Sequence, residues 1–105
     1  MAFWRLYYHL IRATKGRKNL ITPQREASFY KYIVGKADSL ACIIHAIGGT
    51  ENHIHLVTSI PPNLAISDFV KKIKGSSAHQ FNLESPPDIA KFSWQGGYGI
   101  FSLGS

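Results

Sequence analysis

From Trp4 to Thr14 the chain crowds aromatic and branched residues together without a glycine or proline, a pattern that predicts a strand, and the basic loop "TKGRKN" follows. Thr22 then stands at an N-cap with Pro23 at the first helical position. Ala27, Tyr30, Ile33, Val34 and Ala37 recur at helical spacing as the buried stripe of a helix that should end near Leu40. The short apolar run "ACIIHAI", Ala41 to Ile47, suits a central strand, and "GGTEN" supplies a hairpin loop into a further strand, "HIHLVTSI". Pro61 and Pro62 stop that strand. "NLAISDFVKKIKGSSAHQF" follows with Ile66, Phe69, Val70 and Ile73 on one helical face and Lys71, Lys72 and Lys74 off it. After Pro86 and Pro87, "FSWQGGYGIFSLGS" offers a glycine-rich loop and one short terminal strand. The order β-α-β-β-α-β predicts an α+β fold, a ferredoxin-like split β-α-β sandwich whose antiparallel sheet carries both helices on one face.

Composition narrows the partners. The 105 residues make one domain, 1–105, with no internal repeat or linker. Twelve Lys and Arg against six Asp and Glu give a formal charge of +6, which suits an anionic partner such as nucleic acid better than a membrane surface. Cys42 is the only cysteine, so an intrachain disulfide and a CxxC zinc site are both excluded, and a reducing, cytoplasmic setting is expected. Arg5 and His9 interrupt the apolar start, which reads as neither a signal peptide nor a membrane span.

The candidate chemistry lies in "GGTENHIHLV". On a strand, residues i and i+2 share a face about 6.6 to 6.8 Å apart, so the imidazoles of His53 and His55 run parallel while Ile54 and Leu56 turn toward the helices. Two readings stand at this point. The pair are polar residues on a half-exposed strand, or they ligate one ion. A closed zinc site wants four ligands that this sequence cannot assemble, whereas Mg²⁺ or Mn²⁺ keeps waters and borrows ligands from a substrate phosphate. Trp94 and Tyr98 either stack on unpaired bases or pack the core, and Ser76 and Ser77, near the end of the second helix, either bond a backbone or solvate the helix end.

Four segments in order, "YYHLIRATKGRKNLIT", "GGTENHIHLV", "DFVKKIKGSSA" and "FSWQGGYGIFS", resemble successive segments of the HUH-type single-tyrosine transposases of the insertion-sequence 200/605 family, across nearly the whole chain. The resemblance implies a dimeric ferredoxin-like domain that binds a hairpin in single-stranded DNA at the element's end. It implies His53 and His55 as ligands of a divalent metal, Mg²⁺ or Mn²⁺, on the scissile phosphate. Arg12, Lys15, Arg17, Lys18, Lys71, Lys72 and Lys74 would form the DNA surface.

The family pattern continues into a C-terminal helix bearing the nucleophilic tyrosine and often a glutamine ligand, whereas the matching here stops at "GYGIFSLGS". A C-terminally truncated domain is therefore expected, with no resident tyrosine assigned as nucleophile: Tyr7 and Tyr8 fall in the first strand, Tyr30 and Tyr32 in the first helix and Tyr98 in a loop. Three functions follow: a strand transferase lacking its nucleophile, a non-catalytic hairpin-binding module, and a metal-dependent phosphoesterase. The last ranks lowest, because Glu51, Asp68 and Glu84 form no clear carboxylate set beside the histidines. The expected partners are DNA hairpins, a second copy of the chain and an intact transposase subunit.

Overall fold

The computed structural model describes residues 6–89 and 91–103. The element order is β1 (Leu6–Ala13), a single 3-10 turn (Lys15–Arg17), α1 (Pro23–Ser39), β2 (Ile43–Gly49), β3 (His53–Ile60), α2 (Ile66–Glu84) and β4 (Gly99–Leu103). The sheet is antiparallel in the order β2-β3-β1-β4, the split β-α-β arrangement that the alternation of elements predicts. Trp4 and Arg5 of the predicted first strand lie outside the described residues.

Both helices pack on one face of the sheet. Period-2 alternation sends Leu10 of β1 and Ile54, Leu56 and Ile60 of β3 into the core. They meet Phe29, Ile33 and Ala37 of α1 and Phe69, Val70, Ile73 and Phe81 of α2. The α1 stripe differs from its sequence expectation: Ile33 and Ala37 are buried and Tyr30 half-buried, but Ala27 and Val34 are exposed and Phe29 fills the centre. The i, i+4, i+8 ladder of Phe29, Ile33 and Ala37 defines a ridge that faces both the sheet and α2. Thr22 stands at the N-cap with Pro23 next, although its hydroxyl makes no cap hydrogen bond.

Two strand expectations change. The run predicted as a central strand is an edge strand two residues further along, with Ile43 exposed and an irregularity between Ile44 and Ala46 where His45 is the extra residue. A short apolar run is compatible with either position, and only pairing decides it. The second helix runs on to Glu84, so Ser76 and Ser77 lie within it; Ser77 is fully buried and its hydroxyl donates to the Ile73 carbonyl.

The segment after α2 returns to the sheet through specific bonds. Asn82 brackets Phe92, accepting from its N–H at 2.6 Å and donating to its carbonyl at 3.0 Å. Trp94 Nε1–H donates to Ser77 Oγ at 3.0 Å, its ring stacks on Phe29, and its backbone bridges to Thr14. Among the described residues no helix is long and apolar enough to cross a membrane.

Candidate functional site

The face of the sheet away from the helices carries Tyr7, His9, Ile11 and Ala13 of β1 beside His53, His55 and Val57 of β3, paired as Ala13 with His53, Ile11 with His55 and His9 with Val57. The turn into β3 is built around Gly49. Its φ of 154° lies outside the range side chains adopt, and a Cβ there would stand 2.1 Å from the His53 carbonyl oxygen. Thr50 N–H instead donates to that oxygen at 3.0 Å. The loop is tied down from both sides: Thr14 N–H donates to the Asn52 carbonyl at 2.8 Å and Ile21 N–H to the Glu51 carbonyl at 2.9 Å.

These bonds fix the orientation of His53. Its Nδ1 lies 2.9 Å from Asn52 Oδ1, an acceptor only, and 2.8 Å from Thr50 Oγ1, whose own hydrogen is given to Asn52 Oδ1 at 3.1 Å. Two acceptors around Nδ1 put the proton there and leave the Nε2 lone pair free. His55 is held similarly, its Nδ1 3.1 Å from His9 Nε2. The His53 and His55 rings are 4.9 Å apart at 70°, and among the described residues the Nε2 atoms of both have no hydrogen-bond partner. Burial lowers the pKa of His55, with further lowering by neighbouring His53 and His9, a direction that favours the neutral, ligating form.

Among the described residues no group of three His, Cys, Asp or Glu is arranged to hold an ion. The two imidazoles could supply only part of a divalent ion's ligand set, and water or a bound phosphate would have to complete it. None of the described tyrosines stands beside them. Tyr7, on the same face, pairs with Ser59, four residues or about 13 Å along the strand from the Ile11–His55 pair, and its ring packs on His45 at 5.1 Å. Tyr98 lies over Arg12.

The basic residues divide. Lys15, from the turn after β1, and Lys71 and Lys74, from α2, line one open cleft of about 700 Å³ with Ser93, Trp94, Gln95 and Gly96. Lys15 and Lys18 line an adjoining recess with Lys91, a residue that sequence reasoning missed because it follows the Pro86–Pro87 break without any periodicity. Arg17 and Lys72 are exposed but line neither. Arg12 does not join the surface. It is 5% exposed on the helix-facing side, with Nη2–H donating to the Gln95 carbonyl at 2.9 Å and Nε and Nη1 without a hydrogen-bond partner among the described residues, and desolvation lowers its pKa. Trp94 is a core residue with one edge on the cleft, whereas Tyr98 is exposed. The cleft and the histidines share one end of the sheet, since Lys15 is two residues beyond Ala13, the cross-strand partner of His53.

Comparison with known proteins bears on this arrangement. Residues 2–105 match the family model described as transposase IS200 like. A curated relative, the ISDra2 transposase TnpA of Deinococcus radiodurans, is 28% identical over 93 residues, which cover 89% of this chain and 66% of that protein, just under two thirds of its length. A crystal structure of a candidate transposase from Deinococcus radiodurans R1 superposes with a TM-score of 0.87 at 24% identity, covering 98% of this chain and 82% of that one. A REP-associated tyrosine transposase bound to a REP hairpin superposes with a TM-score of 0.71 at 14% identity, covering 100% and 64%. The last two establish the shared fold.

Proposed function

Because the chain belongs to the IS200-like transposase family, we propose that it binds hairpin-bearing single-stranded DNA and holds the DNA backbone against a divalent-metal site on the sheet. The observation that carries the reading is the cross-strand register: Ala13 opposite His53 puts the imidazole pair, on the open face, at the same end of the sheet as the lysine cleft, which α2 lines on the helix side, so DNA that meets both passes around that end. Lys15, Lys71 and Lys74 grip phosphates, with Lys18, Lys91, Arg17 and Lys72 extending the positive field. Arg12 serves from beneath by fixing the Gln95 carbonyl and with it the rim of the cleft. The REP-hairpin complex of a protein of the same fold supports the choice of a hairpin.

His53 and His55 are the residues that would hold Mg²⁺ or Mn²⁺. Such an ion supplies charge stabilisation for the transferring phosphoryl group. Thr50 and Asn52 keep the His53 ring aimed. The nucleophile for strand cleavage is not among the described tyrosines, so the activity proposed for this chain by itself is binding and metal-site assembly. A second copy is the natural partner, since β4 is an exposed sheet edge, and the reducing cytoplasm is the natural setting.

Two results are expected. In fluorescence anisotropy the chain binds a labelled hairpin with a single-stranded flank more tightly than a linear strand or a plain duplex, and equal affinity for all three would reduce the interaction to net charge. In paramagnetic NMR titration Mn²⁺ broadens the His53 and His55 ring signals first, and His53→Ala or His55→Ala weakens binding by more than about tenfold. Signals unchanged by millimolar Mn²⁺ would remove the metal from the reading.

A further inference from the structure

A third imidazole belongs to the open face without being one of the two ligands. His9 lies on β1 opposite Val57, diagonal to His55, and its half-buried ring sits 5.3 Å from the His55 ring and 6.3 Å from that of Phe101 on β4. Its Nε2 is 3.1 Å from His55 Nδ1, the only hydrogen-bond partner of that nitrogen among the described residues. The bond admits two proton placements. With the proton on His9 Nε2, His55 accepts at Nδ1 and must carry its own proton on Nε2, which closes that nitrogen to a metal. With the proton on His55 Nδ1, His9 accepts, and the His55 Nε2 lone pair turns outward beside that of His53.

We propose that His9 is a positioning residue for the metal site, accepting the His55 Nδ1–H and thereby holding His55 in the tautomer and rotamer that present Nε2 to the ion. The inference rests on the reading of His53 and His55 as ligands. It follows from how imidazole ligands are usually held: the ring nitrogen away from the metal donates to a carboxylate, carbonyl or water, which fixes the ring and raises its basicity. Asn52 and Thr50 do this for His53. No carboxylate or carbonyl is bonded to His55 among the described residues, and the His9 imidazole takes the place of one. Phe101 packs the far side of His9, so the acceptor is wedged between an aromatic ring and the ring it orients. His9 itself stays off the metal while its Nε2 is engaged, in keeping with the lack of a three-residue ligand set among the described residues.

The test uses the full chain without DNA. At about pH 8, where imidazole is neutral, long-range ¹H–¹⁵N spectra report which nitrogen of His55 carries its proton, and Mn²⁺ affinity is read by electron paramagnetic resonance. The wild-type chain should show His55 protonated at Nδ1. His9→Phe, which keeps a ring against Phe101 but offers no acceptor, should lose that preference and bind Mn²⁺ about tenfold more weakly. His9→Gln, whose amide oxygen can take the same hydrogen bond, should stay within about threefold of wild type. Three results would overturn the role of His9: a wild-type His55 protonated at Nε2, undiminished Mn²⁺ binding by His9→Phe, or a loss in His9→Gln as large as that in His55→Ala, which would make His9 a ligand. Undiminished binding by His55→Ala would overturn the metal reading itself, and this proposal with it.

Discussion

Replacing Lys15, Lys71 and Lys74 together with alanine lowers affinity for hairpin-bearing single-stranded DNA by about a hundredfold at about 0.1 M salt. Each lysine that neutralises a backbone phosphate releases about 0.7 of a condensed counterion from single-stranded DNA, worth about a factor of five at that salt, and three such contacts multiply. The same variant should shallow the slope of log affinity against log salt by about two. Fluorescence anisotropy across a salt series measures both quantities. Lys31 and Lys36 on α1 line neither the cleft nor the adjoining recess, so their double replacement serves as the comparison per charge removed and should cost far less per residue. Comparable losses per lysine in the two variants would mean that the cleft gives way to diffuse attraction.

The second large effect is on stability. Trp94 is 5% exposed, meets Phe92 edge to face at 4.7 Å, stacks on Phe29 at 5.8 Å and donates to the buried hydroxyl of Ser77. Trp94→Ala removes the largest side chain of this cluster and should cost about 3–5 kcal/mol. Set against the roughly 5–15 kcal/mol available to a domain of this size, that leaves a chain that is marginal or unfolded at physiological temperature. Trp94→Phe keeps most of the ring and loses the Nε1–H bond, so the expected cost is nearer about 1–2 kcal/mol. Urea denaturation followed by circular dichroism separates the two. A Trp94→Ala chain that unfolds at the wild-type urea midpoint would show that Trp94 does not anchor the return segment.

The histidine pair was legible because it needs only local information: alternation in a strand whose apolar residues fix which side is inward. Arg12 was legible by the same rule, since it shares parity with Leu10 and Thr14 and so points inward, but composition-driven reading assigned it with its basic neighbours to the surface. His9 could not be found that way. Its parity puts it on the open face, yet its approach to His55 depends on the β1–β3 register, which neither strand specifies alone. The same limit hid the edge position of β2 and the part Phe92 plays in the core, and left Trp94 open between base stacking and the core packing it shows. Their segment has no periodicity, and it is placed by bonds from Asn82 and Ser77 that join residues far apart in the chain. In α1, Phe29 displaced Ala27 and Val34 from the predicted stripe because the neighbouring α2 selects which arc of a mixed surface is covered.

The strand order has a consequence for how the molecule opens. His9, His53 and His55 stand on β1 and β3, each hydrogen-bonded to a neighbour on both sides, while β2 and β4 form the edges. Local opening begins where backbone bonds are made on one side only, so amides of the edges exchange with solvent through small fluctuations and those of the inner pair only near global unfolding. The imidazole array therefore belongs to the slowest-exchanging part of the sheet. An edge strand can fray while the three rings keep their spacing.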